Sequence, residues 1–153
     1  TEESCNENME TVMDYLKNDL KIDENKIVLM GQSLGTGITV HYAWKHNSIS
    51  PLVLISPYKS LPRVIIDSSV ADACVHKYKF KSVGKIKYLK CPVKIFHGEQ
   101  DELIDSSHGK NLYDKLKNKI FDPVWIKDAD HNNILLKIED KEYEQVFLYE
   151  PTN

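Results

Sequence analysis

Three loop residues of this chain have the types and order needed for nucleophilic chemistry. Ser33 lies in Gly31-Gln32-Ser33-Leu34-Gly35. A GxSxG pattern lets a chain turn sharply from a strand into a helix and leaves the serine hydroxyl exposed at the turn. The backbone N–H of the next residue, Leu34, then points to where an oxyanion would form. A serine is a weak nucleophile until a base takes its proton, and the base needs an acid to orient it. In the chain order Ser, then Asp or Glu, then His, the candidates are Asp101 and His131. Asp101 follows His97-Gly98-Glu99-Gln100, and His131 sits in Asp128-Ala129-Asp130-His131-Asn132-Asn133. Glu99, Glu102 and Asp105 compete locally with Asp101, but the two glutamates have longer side chains and no better placement. Of six histidines, only His108 and His131 follow Asp101. His108 shares the acid's loop and reads as a surface or capping histidine, which leaves His131 as the base. Each residue also has a plainer reading. Ser33 could cap a helix in a glycine-rich turn, Asp101 could be a turn residue, and His131 a loop histidine. His97, Asp101 and His131 could also be taken as metal ligands, but the Ser-Asp-His order accounts for the same residues better. Neither a metal nor a cofactor is expected.

Such residues work only if elements bring them to one place. Residues 26–31 (KIVLMG), 52–56 (LVLIS), 93–97 (VKIFH) and 124–127 (VWIK) are short apolar runs that read as buried strands. Helical patterns lie between them. Ser4 with Glu7 reads as a capping box ahead of Met9, Val12, Met13, Leu16 and Leu20 on one face. Residues 34–47 read as a second helix, with Leu34, Ile38, Tyr42 and Ala43 broadly on one side. Ser107 can cap a helix carrying Leu112, Tyr113 and Leu116. A last short helix is expected over 142–149, and residues 58–90 are mixed and partly helical. Strands that alternate with helices and are apolar on both faces predict an α/β fold, a parallel sheet covered on both sides. Right-handed crossovers then put every strand's C-terminal end on one edge. Ser33, Asp101 and His131 all fall in loops at that edge, where functional residues of such sheets belong.

The motifs GQSLGTG, HGEQDELI and DADHNN, in that order, resemble the alpha/beta-hydrolase superfamily. The finer resemblance is to the group around alpha/beta hydrolase domain-containing protein 17, palmitoyl-protein thioesterases. It rests on the residues around Ser33, on Ser56-Pro57, on Cys91-Pro92, on HGxxDxxI followed by Ser107-His108-Gly109, and on HNN at His131. It spans nearly the whole chain, to about Tyr149. Two departures stand beside His131: Asp130 replaces the usual Gly, and Asn133 stands where Asp is expected. The resemblance implies a serine hydrolase acting on long-chain acyl thioesters of protein cysteines or on lipid-like esters, at the cytoplasmic face of a membrane. A peptidase or a general carboxylesterase would share the same triad. The superfamily sheet has about eight strands and only four are legible, so the chain reads as one truncated domain, residues 1–153, that is the C-terminal part of the fold. The second oxyanion donor would belong to the missing part, and the strand at 27–30 would be left with an open apolar edge. A catalytically incomplete fragment that serves as an interaction module is the alternative.

Composition fits this reading. The chain has 153 residues, net charge -3, 41% hydrophobic and 28% charged residues. That suits one globular domain with a sizeable core and excludes a disordered or collagen-like chain. No apolar run approaches the ~20 residues of a membrane span, and no secretory signal opens the chain. Cys5, Cys74 and Cys91 are odd in number and lack CxxC spacing, which suits a reducing, cytoplasmic location. They read as small buried apolar residues. Residues 76–94 carry Lys77, Lys79, Lys81, Lys85, Lys87, Lys90 and Lys94 without an acid, interleaved with Tyr78, Phe80 and Tyr88. The plain reading is a solvated face. Peripheral contact with an anionic membrane is the functional one. Nucleic-acid binding is not expected from the overall charge.

Overall fold

The computed structural model describes residues 1–65 and 80–150. Among these, β1 (Leu29–Gln32), β2 (Leu52–Ile55), β3 (Val93–Gly98) and β4 (Val124–Ile126) form one parallel sheet in the order β1-β2-β3-β4. The helices are α1 (Glu2–Asp14), α2 (Leu34–His46), α3 (Leu61–Ile65), α4 (Ser82–Lys85), α5 (Ser107–Lys115) and α6 (Asp140–Phe147).

The alternation of side chains along each strand divides the core in two. Leu52, Leu54, Val93 and Ile95 pack with Val40 and Ala43 of α2, with Ile86 and Leu89 after α4, with Leu112 of α5 and with Leu116 just past its end. Val53, Ile55 and Phe96 point the other way, onto Ile134 and Ile138 and onto Val146 of α6. Every residue of β2 and β3 is buried, as unbroken apolar runs between two helical layers should be. Fully burying such a side chain stabilises by roughly 1.5–3 kcal/mol, so these two strands anchor the sheet. The polar exceptions in the run are Lys94 and His97. The Lys94 chain is buried beside Phe96, and its ammonium group meets Glu142 of α6 at 2.5 Å. This is a partial alpha/beta-hydrolase fold, a four-stranded parallel sheet flanked by helices.

Several boundaries differ from the sequence expectation. α1 begins at Glu2, and its cap is Thr1, whose Oγ1 accepts from Ser4 N at 3.0 Å. Ser4 therefore sits inside the first turn, where Glu2 and Glu3 also complement the helix dipole. The apolar face of α1 is narrower than expected. Met13 is buried, whereas Val12 and Leu20 are about half exposed (54% and 50%). A π-helical turn over Tyr15–Asp19 widens the winding and breaks the 3.6-residue phase. β1 starts at Leu29 because Glu24–Lys26 form a 3₁₀ turn, capped by Asp23 Oδ1 accepting from Asn25 N. β1 is an edge strand, as its open side had suggested, but it is not buried throughout, since Met30 is 45% exposed. At α5 the cap position is Ser106 and not Ser107, and just before it Asp105 Oδ1 accepts from Ser107 N at 2.8 Å. The last helix runs over Asp140–Phe147, two residues earlier than expected.

Candidate active site

The turn between β1 and α2 is built around one strained residue. Ser33 has φ 50° and ψ -120°, outside the regions an L-residue ordinarily adopts. Its neighbours hold it there. Ser33 N donates to Ile55 O of β2 at 2.9 Å, and Ser33 O accepts from Thr36 N and Thr36 Oγ1. A Cβ on Gly31 would lie 2.6 Å from the Gly35 carbonyl oxygen and 2.7 Å from Thr39 Oγ1, so only glycine lets the strand meet the helix so closely. Gly35 is different, since a Cβ there would meet nothing within 4 Å. Leu34 is the first residue of α2, so its N–H has no partner within the helix. Its carbonyl accepts from the buried Tyr58 hydroxyl at 3.2 Å, and a Cβ on Gly37 would collide with that hydroxyl.

The loop after β3 presents an acid from a buried position. Asp101 Oδ1 accepts from Leu103 N at 3.1 Å and Ile104 N at 2.8 Å. Its Oδ2 accepts from His131 Nδ1 at 2.8 Å. With that proton on Nδ1, His131 Nε2 is left as the acceptor for the Ser33 hydroxyl, 3.0 Å away. Ser33, His131 and Asp101 thus form a hydrogen-bonded chain with catalytic-triad-like geometry. His131 lies at the mouth, its side chain 15% exposed, while the Asp101 carboxylate is fully buried. The competing acids do not take this place. Glu99, Glu102 and Asp105 are all exposed, and Asp105 is held below the usual carboxylate range by its bonds to Ser107.

Two residues were missed in the sequence. His97, at the end of β3, is wholly buried, and its Nε2 donates to Ile104 O at 2.7 Å. It thereby fastens the loop that carries Asp101, whose Oδ2 is 3.6 Å from the same nitrogen. Burial, the largest effect, pushes the His97 pKa down and favours the neutral ring. Gly109 makes room for it, because a Cβ there would lie 2.6 Å from His97 Nδ1. The HG before the acid and the SHG after it were the available signal. His108 is not a surface histidine. It is buried, and its Nδ1 accepts from Lys59 N at 3.3 Å, away from the triad. The His131 loop meets the acid loop through Gln100 N, which donates to Ala129 O at 3.0 Å. A cleft of about 740 Å³ opens here, lined among others by Gln100, Leu103, His131 and Asn132.

Among the described residues of the lysine-rich segment, the lysines do not form one stripe. Lys77 and Lys79, like Cys74, lie outside the described residues. Lys94 is buried against Glu142, and Lys85 is half-buried between His41 and the Trp44 ring. Lys87 and Lys90 are exposed, with Tyr88 between them. Cys91 is buried, which pushes its thiol up to about 12, a poor nucleophile. Among the described residues, no helix is long and apolar enough to cross a membrane.

Residues 3–120 match the family described as "Protein of unknown function (DUF1749)", and the chain belongs to that family. It is 47% identical over 149 residues to the Acanthamoeba polyphaga mimivirus protein named "Putative alpha/beta hydrolase L404", covering 97% of this chain and 56% of that one. It is 32% identical over 136 residues to alpha/beta hydrolase domain-containing protein 17C of Xenopus tropicalis, covering 89% of this chain and 43% of the relative. The chain spans about half the length of these relatives. Among solved structures, Porphyromonas gingivalis dipeptidyl peptidase 4 matches with a TM-score of 0.73 at 14% identity, over 94% of this chain and 22% of that one. That likeness bears on the fold alone. Sequence and fold together make this an alpha/beta-hydrolase-superfamily domain with moderate similarity to the domain-containing protein 17 group.

Proposed function

We propose that this chain carries the triad of a serine hydrolase that cleaves acyl thioesters or esters, of the palmitoyl-protein thioesterase type. The supporting observation is the continuous chain from Ser33 Oγ through His131 to Asp101, at 3.0 and 2.8 Å, starting from a strained serine at a helix N-terminus. In this mechanism Ser33 Oγ attacks the acyl carbonyl while His131 Nε2 takes its proton. Asp101 holds the Nδ1–H tautomer and stabilises the imidazolium that forms. The oxyanion is met by Leu34 N–H at the positive end of α2. His131 then protonates the leaving thiolate or alkoxide. Water, activated by the same histidine, releases the acid and restores Ser33.

The thioesterase reading is supported by the similarity to the domain-containing protein 17 group, and in this reading the substrate lies at the cytoplasmic face of a membrane. The triad alone serves an esterase or a peptidase equally well. Because the chain spans about half of its relatives' length, the full-length protein is the sample to assay. Three substrates decide: an S-palmitoyl peptide, a short-chain p-nitrophenyl ester and a peptide p-nitroanilide. The S-palmitoyl peptide is expected to give the highest kcat/KM, and Ser33→Ala to reduce it by at least about 10⁴-fold. A short ester turned over as well as the thioester would remove the thioesterase assignment, and preference for the anilide would make the protein a peptidase.

A further inference from the structure

We propose that Asp130 and Asn133 form a reciprocal clasp that sets the position of the His131 imidazole. The inference rests on the serine-hydrolase reading of Ser33, His131 and Asp101. Four hydrogen bonds close the loop around His131. Asp130 Oδ1 accepts from Asn132 N at 2.8 Å and from Asn133 N at 2.9 Å. Asp130 Oδ2 accepts from Asn133 Nδ2 at 3.1 Å. In return Asn133 Oδ1 accepts from Asp130 N at 3.0 Å. His131 is therefore the middle of a segment tied on both sides by side chains that do not themselves contact Ser33 or Asp101.

The two ends of the clasp are anchored. Before it, Ala129 is wholly buried and its N–H donates to Ile126 O of β4. After it, Ile134 is wholly buried and Asn133 O accepts from Leu136 N. Between these anchors the loop has no regular ladder, so local side-chain bonds decide its shape. The chemistry of the pair is complementary. The carboxylate of Asp130 only accepts, while the Asn133 amide both donates and accepts. A second carboxylate at position 133 would face the first and break the exchange. The bonds to Asn133 and Asn132 hold the Asp130 carboxyl below its usual range. Asp130 and Asn133 are positioning residues, because neither touches the reacting atoms. A displacement of the base by about 1 Å is enough to cost on the order of a hundredfold in rate.

The test compares Asp130→Ala, Asn133→Ala, Asn133→Asp and the exchanged pair Asp130→Asn/Asn133→Asp in the full-length protein. Two readouts are taken: kcat and KM for a p-nitrophenyl ester, and the proton resonance of the His131–Asp101 hydrogen bond. The single variants are expected to lower kcat by about ten- to a hundredfold with KM little changed, and to broaden the resonance. The exchanged pair restores all four bonds and is expected to recover both readouts. Single variants with unchanged kcat and an unchanged resonance overturn the proposal. So does an exchanged pair as impaired as Asn133→Asp. If alanine variants fail to fold, Asp130→Asn keeps a side-chain oxygen to accept from both backbone N–H groups and carries the same comparison. A folded wild type without activity would sink the hydrolase reading, while the resonance would still test the clasp.

Discussion

Holding Ser33 at φ 50° costs on the order of 1–3 kcal/mol, which the surrounding bonds must offset. The return is a part-buried hydroxyl already 3.0 Å from its acceptor. Beneath it, His97 couples the site to stability. Its pKa is depressed below 6.5, mainly by burial, so the native protein keeps it neutral where the unfolded chain begins to bind a proton. The stability this contributes is full above pH 6.5 and is lost as pH falls from there through the depressed value. Urea midpoints are expected to fall between pH 7 and pH 5, and His97→Gln to fall less steeply from a lower start. Equal slopes for both proteins would contradict this role. Ser33, Asp101 and His131 were legible because their chemistry prescribes type and order. His97, Gly109, Asp130 and Asn133 were not, because their roles depend on distances of 2.6–3.1 Å that no periodicity encodes.

At the scale of elements, the two glycines of GxSxG look equivalent in sequence and are not. Gly31 is where β1 and α2 touch, and a methyl group there must displace backbone. Gly35 lies in the first turn of α2, facing open space, at a backbone conformation any residue adopts. Gly31→Ala is expected to destabilise by about 1–3 kcal/mol through overpacking. Gly35→Ala is expected to be neutral or to stabilise by up to about 1 kcal/mol. Urea denaturation of the two variants measures both, and equal destabilisation would refute the contrast. The central strands β2 and β3 were read nearly to the residue, because unbroken apolar runs can be buried in few ways. The ends of α1, β1 and α5 were misread because the side chains of Thr1, Asp23 and Asp105 accept from nearby backbone N–H groups. The π turn of Tyr15–Asp19 leaves no sequence period at all.

For the molecule as a whole, the sheet is an assembly device. Parallel strands with helices on both faces bring β1, β3 and β4 to finish at one edge, and residues 98 positions apart meet there. The same sheet ends at β1, whose half-exposed Met30 marks it as the less protected side. On the α6 face of β3, Lys94 and Glu142 form a polar link that no apolar pattern reveals. In the proposed function this architecture activates Ser33. The most direct test is fluorophosphonate labelling of the folded protein, with the modified residue located by peptide mass spectrometry. The expected result is a single adduct on Ser33 that is lost in Ser33→Ala and strongly slowed in His131→Ala. A folded protein that stays unlabelled, or one labelled equally after Ser33→Ala, would contradict it.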